Sequence, residues 1–250
     1  MNDSSSKPET GIADLREAKS PLGPTTVATE LQRQLPDAAR RVFEVMASDP
    51  FVGVMVLSDL GRIEYMNDQC ARMFVGPDAK ASQLVGRVLS ECFPIECAQE
   101  CDESMRRVSM THRAVSRRKL WLGCQLFINF SYLAELPGLL SRGAFLALVH
   151  HVGGNPQAVP HGAETERLES GVVRLGKLDC LTPQELRVMA LIGAGLSVRE
   201  TAKALHRAEK TVESHCVSIH RKLKISDRVE MATLAHEAGL TLADADRRRV

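Results

Sequence analysis

The stretch EKTVESHCVSIHRKLKISDR, residues 209 to 228, carries two chemistries on one helical period. Lys210, Ser214 and Arg221 are of the types that hold phosphate oxygens. Glu213 can accept a hydrogen bond from the exocyclic amine of cytosine, and Val217 offers a methyl surface to thymine. Elsewhere, Cys92, Cys97 and Cys101 form a C-x4-C-x3-C series whose thiolates could hold zinc or an iron–sulfur cluster, given a fourth ligand. The usual CxxC pairs are missing, and small buried cysteines are common, so packing is the plainer reading. His150-His151 reads as the end of a strand rather than as a metal pair. No nucleotide loop, GxSxG or HExxH occurs, which leaves no basis for calling the chain an enzyme.

The elements that must position residues 209 to 228 are legible. Val212, Cys216, Ile219 and Leu223 fall within about 60 degrees of one another at helical periodicity and predict a buried stripe. Lys210, Ser214, Val217 and Arg221 lie opposite, flanked by Glu213, Ser218 and Lys224. Three capping boxes precede apolar helical runs: Thr182 with Glu185, Ser197 with Glu200, and Asp227 with Glu230. Pro183 suits a first helical position, and Gly193 and Gly195 close the first helix. From Gly171 to Val250 there are 14 Lys/Arg and 10 Asp/Glu, a net charge of +4 against −3 for the remainder. A compact set of four short helices with a polar, mildly basic outer face has the layout of a helix-turn-helix unit.

Residues 181 to 235 strongly resemble the LuxR/FixJ-type DNA-binding domain. The matching marks run from Leu181-Thr182-Pro183, Glu185, Gly195-Leu196, Glu200 and Ala202 to Lys210-Thr211-Val212, His215, Ile219, Lys222-Leu223, Arg228 and Glu230. The resemblance implies a four-helix head with a recognition helix from Ala208 to about Leu223. It also implies dimerisation through the last helix, Asp227 to about Ala238. Carried over by position, base-facing roles fall on Glu213, Ser214 and Val217, and phosphate-facing roles on Lys210, Thr211, His215 and Lys222. Thr201 and Arg207 stand where the family usually has large aliphatic residues. Ala208 replaces a usual serine cap, a change that costs roughly 0.5–2 kcal/mol.

The rest of the chain divides by composition. Residues 1–36 are rich in Ser, Pro, Thr and charge and read as a disordered tail. Residues 37–153 alternate short apolar, β-branched runs with helical stretches: two strands around an Asp-Leu-Gly turn, several short helices, then three strands. That order predicts an α+β domain with an antiparallel sheet. FVGVMVLSDLGRIEYMNDQCARMFV, followed by LVGRVLSECFP, resembles the opening of a PAS domain, which implies ligand binding, redox or light sensing, or dimerisation. NDQCAR departs from the Asn-Cys-Arg of flavin-binding light sensors, and the long helix lacks a haem histidine, so no cofactor is assigned. Asp59 follows a strand without the acidic pair of a phosphate-accepting receiver. Residues 154–178 read as a linker, partly helical, with Leu168, Val172, Leu175 and Leu178 on one stripe; 179–241 form the head and 242–250 a basic tail.

No run approaches the eighteen or so apolar residues of a membrane span, and MNDSSSKPET lacks a signal-peptide core. With seven cysteines in no paired framework, the chain reads as cytoplasmic. The expectation is a multi-domain, sequence-specific DNA-binding regulator of transcription, an α+β PAS-like domain that senses an unknown signal or mediates dimerisation followed by an all-α four-helix head: double-stranded DNA and a second copy of the chain as partners, RNA polymerase as a further one, and a small-molecule ligand for the PAS-like domain. The competing reading is a protein-interaction adaptor whose head no longer binds DNA.

Overall fold

The computed structural model describes residues 33, 37–136, 140–159 and 162–250; the expected tail over 1–36 lies, residue 33 apart, outside the described residues. Helix α1 (Asp37–Ser48) leads into strand β1 (Val52–Ser58). The Asp-Leu-Gly turn, with Gly61 at φ 72°, reverses the chain into β2 (Ile63–Met66). Asn67 caps α2 (Asp68–Val75), and its Oδ1 accepts from the amides of both Cys70 and Val54, tying helix to sheet. After α3 (Leu89–Cys92) and the long α4 (Ile95–Thr111) come β3 (Val115–Trp121), β4 (Cys124–Leu136) and β5 (Leu140–His151). Leu122 and Gly123 both take positive φ, 51° and 78°, which matches a two-residue hairpin to the strand twist. The α+β order expected from the sequence is the order observed.

The sheet has six strands rather than five, hydrogen-bonded in the order β2-β1-β5-β4-β3-β6. The sixth is a correction to the sequence reading. Residues 163–178 do not form the helix that the Leu168, Val172, Leu175 and Leu178 stripe predicts. Glu166–Glu169 is strand β6, paired parallel to β3, and Val172–Val173 is strand β7. Pairing with β3 satisfies an edge that would otherwise carry unpaired amides and carbonyls. The only helical part is a 3-10 turn, Gly176–Cys180. The four apolar residues are divided between two cores, Leu168 and Val172 packing with the sheet and Leu175 and Leu178 with the helical head.

The head comprises α5 (Pro183–Gly193), α6 (Val198–Ala204), α7 (Glu209–Leu223) and α8 (Arg228–Glu237). Thr182 and Ser197 form complete capping boxes with Glu185 and Glu200. Asp227 accepts from the Glu230 amide, but the Glu230 carboxylate reaches back to Ser226, one residue beyond the expected partner. At Gly193 a Cβ would lie 2.4 Å from the Cβ of Ala235, so a side chain there would force α5 off α8. The expected basic tail over 242–250 is built into the fold instead. Leu242–Asp246 is a 3-10 turn with Asp244 and Ala245 buried, and Arg248–Arg249 is strand β8, parallel to β7.

Strand alternation explains how two cores share one strand. On β3, Val115 and Trp121 face α2 and α4, together with Met55, Leu57, Ile128, Phe130 and Val149 from the other strands. Leu120 faces the opposite way, into the core of the head. Helix α1 covers the far end of that same outer sheet face, Phe43 packing with Val54 and Val56. Between α4 and the sheet remains an apolar cavity of about 20 Å³, lined in part by Phe93, Cys97 and Trp121 and walled on one side by Lys119. That is room for about one water molecule. Burial pushes the thiol of Cys101 up to about 12 and raises that of Cys97, although Lys119 Nζ lies 3.5 Å from Cys97 Sγ. Both cysteines pack with the apolar core between α4 and the sheet. Among the described residues no three His, Cys, Asp or Glu side chains converge as metal ligands.

Two features of the head carry measurable consequences. Thr201 is fully buried, and its Oγ1 has no hydrogen-bond partner. An unsatisfied buried hydroxyl costs about 1–3 kcal/mol, so Thr201→Val is expected to stabilise the chain by about 1 kcal/mol, read as a raised denaturation midpoint at unchanged slope. The carboxylate of Glu185 accepts from the Thr182 amide at 2.7 Å and from Lys222 Nζ at 2.7 Å. Burial alone would raise its pKa; Lys222, the Thr182 amide and the Ser218 hydroxyl outweigh burial and hold it at about 2, below the ordinary 4.5. A folded-state value below the unfolded one gives stability that is present above pH 4.5 and lost as pH falls toward 2. Glu185→Gln should then be less stable by about 3 kcal/mol at neutral pH, with the difference closing across that acid range in pH-dependent melts.

Candidate nucleic-acid interface

Helices α6 and α7 form the helix-turn-helix. Between them His206 takes a left-handed conformation, φ 51°, which turns the chain sharply enough for α7 to cross α6. Ala208 occupies the N-cap of α7 and, having no side-chain oxygen, makes no capping bond. The acidic residues Glu209 and Glu213 lie near that N-terminus, where the helix dipole favours negative charge. Val212 and Ile219 are fully buried, and Cys216 and Leu223 are half-buried, as the stripe requires. At the other end Lys224, φ 56°, closes the helix.

The outer face of α7 carries most of the residues that sequence reasoning placed on it. Lys210, Thr211, Glu213, Ser214 and Arg221 are exposed. Val217 is 67% exposed, a large aliphatic surface for a lone helix position facing water. Ser214 Oγ donates to the Lys210 carbonyl at 2.9 Å, which commits its proton to the helix and leaves the hydroxyl as an acceptor. His215 is half-buried at the border of this face. Lys222 is also half-buried, and its ammonium is held by Glu185, so it joins α7 to α5.

Four exposed cations were not singled out from the sequence as contacts. Arg199 and Lys203 are four residues apart on α6 and so share one face, Arg207 lies in the turn, and Lys224 follows α7. None has a hydrogen-bonded or ionic partner among the described residues, and the same holds for Lys210 and Arg221. The four-residue spacing of Arg199 and Lys203 is the signal that could have found the first two. The helix-turn-helix thus carries six exposed cations, of which Lys210 and Arg221 share the outer side of α7 with Ser214 and Val217. Exposed cations beside a short acceptor–aliphatic patch can do two things: grip a polyanion and discriminate among base edges.

Residues 179–235 match GerE, the luxR family of bacterial regulatory proteins. The transcriptional regulatory protein LiaR of Bacillus subtilis is 32% identical over 94 residues, which are 38% of this chain and 36% of LiaR. The probable HTH-type transcriptional regulator GfsR of Streptomyces halstedii is 40% identical over 63 residues, 24% of this chain and 26% of GfsR. The chain thus spans only about a quarter to a third of the length of these relatives. Among solved structures, the ligand–DNA complex of VqmA from Vibrio cholerae aligns over 84% of this chain and 93% of its own, at 13% identity and a TM-score of 0.44. The helical head of this chain belongs to the luxR family of bacterial regulatory proteins.

Proposed function

We propose that the chain is a dimeric, sequence-specific DNA-binding regulator of transcription whose N-terminal domain supplies the signal or part of the dimer contact. The observation that carries this reading is the open face of α7. Its exposed acceptor, hydroxyl and aliphatic residues share the helix-turn-helix with exposed cations that have no carboxylate partner among the described residues. A luxR-family head supports it, as do relatives named as transcriptional regulators. In this reading Lys210, Thr211, His215 and Arg221 contact phosphates, whereas Glu213, Ser214 and Val217 face bases. Lys222 contributes by holding α7 against α5.

Dimerisation is assigned to the outer side of α8, where Val229 is 74% exposed and Thr233 follows one turn later. Two heads related by a two-fold axis enter successive major grooves, giving inverted half-sites about 10 base pairs apart. The N-terminal domain, PAS-like in its element order, is the place for a small-molecule signal. RNA polymerase is the further partner that such a regulator implies, and the cytoplasm its compartment.

Selection of binding sites from random duplex DNA, with affinities measured across salt, tests this directly. Lys210→Ala should weaken all sites alike and lower the salt slope by about one unit. Glu213→Ala and Val217→Ala should change the preferred bases, at about 1–3 kcal/mol of discrimination for each lost contact. Uniformly tighter binding by Glu213→Ala with an unchanged motif would remove Glu213 from the reading set. Absence of any salt-dependent duplex binding would remove the function.

A further inference from the structure

The head is not tethered by a free linker; it is clasped to the sheet. Arg118, on the outer face of β3, is 1% exposed, and all five of its N–H groups are bonded. Nε donates to Gln125 Oε1 at 2.6 Å, Nη1 to Glu169 Oε2 at 3.1 Å and to Asp244 Oδ1 at 2.9 Å. Nη2 donates to the Gly239 carbonyl at 2.7 Å and to Asp244 Oδ2 at 2.8 Å. Asp244, also 1% exposed, accepts in addition from the Thr241 amide and hydroxyl, both at 2.8 Å. Three of the five acceptor contacts belong to the head and two to the N-terminal domain and its strap.

Further contacts surround this pair. Arg247 bridges Asp244 and Glu169 at 2.8 and 2.6 Å. The Gly154 amide donates to the His236 carbonyl, and Gly239 approaches the Gln125 amide so closely that a Cβ would sit 2.4 Å from it. Strand β8 lies beside β7, and Ser170, just before β7, donates to Glu100 of α4. The reading face lies elsewhere. Among the described residues Lys210, Glu213, Ser214, Val217 and Arg221 make no bond to the N-terminal domain, and Val229 at the start of α8 stays exposed.

A clasp that fixes the head yet leaves its DNA face uncovered positions rather than masks. We propose that the Arg118–Asp244 pair fixes the spacing and relative orientation of the two half-sites the dimer accepts: the N-terminal domains supply the other part of the dimer contact, and the clasp makes each head rigid with its own domain, so that the two α8 faces meet in one arrangement. This inference rests on the DNA-binding reading above. Two linked heads gain avidity only when the geometry lets both engage, so a fixed head selects one spacing and a loose one tolerates several.

The test uses the full-length chain as wild type and as Asp244→Asn, which keeps the shape and removes the charge. Hydrogen exchange over residues 239–250 should accelerate by roughly tenfold or more in the variant while the amides of β1 stay protected. Affinity for a duplex with one half-site should change by less than about twofold, since the reading face is untouched. Sites selected from random DNA should share one spacing for wild type and scatter over several for the variant. Affinity for the wild-type spacing should fall roughly tenfold. Tighter binding to a single half-site would make the clasp a mask and overturn the proposal. So would an unchanged spacing in a variant whose exchange shows the clasp open, or unchanged exchange itself. If Asp244→Asn does not fold, Arg247→Gln loosens the same clasp from its rim and carries the same readouts. Failure of wild type to bind any duplex would instead defeat the DNA-binding reading, while the exchange measurement would still report on the clasp.

Discussion

A guanidinium removed from water is tolerable only where every N–H finds an acceptor, and Arg118 meets that condition with groups separated by up to 126 residues in sequence. Its partners dictate much of the rest. Gln125 must lie beside it across the β3–β4 ladder, Glu169 must come from a strand on the other side of β3, and Asp244 must be delivered from beyond the last helix of the head. Burial pushes the Asp244 carboxyl up, and the hydrogen bonds and charge of Arg118, with Arg247, outweigh it and hold the group below its ordinary value. Losing one member of such a pair strands the other, at about 3–5 kcal/mol, which is a large fraction of the stability of a domain.

Three consecutive basic residues on β3 show how one strand serves two neighbours. Arg117 and Lys119 point toward α4, where Arg117 bonds Ser104 and Glu103 and Lys119 bonds Glu100. Arg118 points to the head. In the sequence these residues look like a solvated run, because a charged triplet normally lies on a surface. Only the coverage of both sheet faces makes them interior, and no local pattern announces that coverage.

The parts that were legible were local. Capping boxes at Thr182 and Ser197, the Asp-Leu-Gly turn and the stripe from Val212 to Leu223 depend on residues within a few positions of each other, and the structure contains them all. The strap from Glu166 to Val173 was not legible, because its apolar residues keep helical spacing while their burial comes from partners far away, β3 for one half and β8 for the other. Lys222 illustrates the same limit within the interface. Its position on α7 suits a phosphate, but the bond to Glu185 depends on how α5 crosses α7, which spacing along one helix does not reveal. Arg199 and Lys203 are the opposite case, since their four-residue spacing is local but has no apolar stripe of its own to mark which side of α6 is outermost.

The separation of Arg118 from Asp244 also has a meaning in time. The sheet strands leave the ribosome first, and at about 5–20 residues per second the carboxylate that completes the guanidinium follows roughly ten seconds later. During that interval β3 has an open outer face, with Leu120 and Arg118 both waiting for the head. A chain broken off before Asp244 would leave Arg118 without the carboxylate that takes two of its five N–H groups, and the loosened join would be a target for chaperones and proteases. Transplanting the head onto another protein would create the complementary defect, an Asp244 left with Arg247 alone and without Arg118. In this chain, the two domains are parts of one another's quality control rather than interchangeable modules.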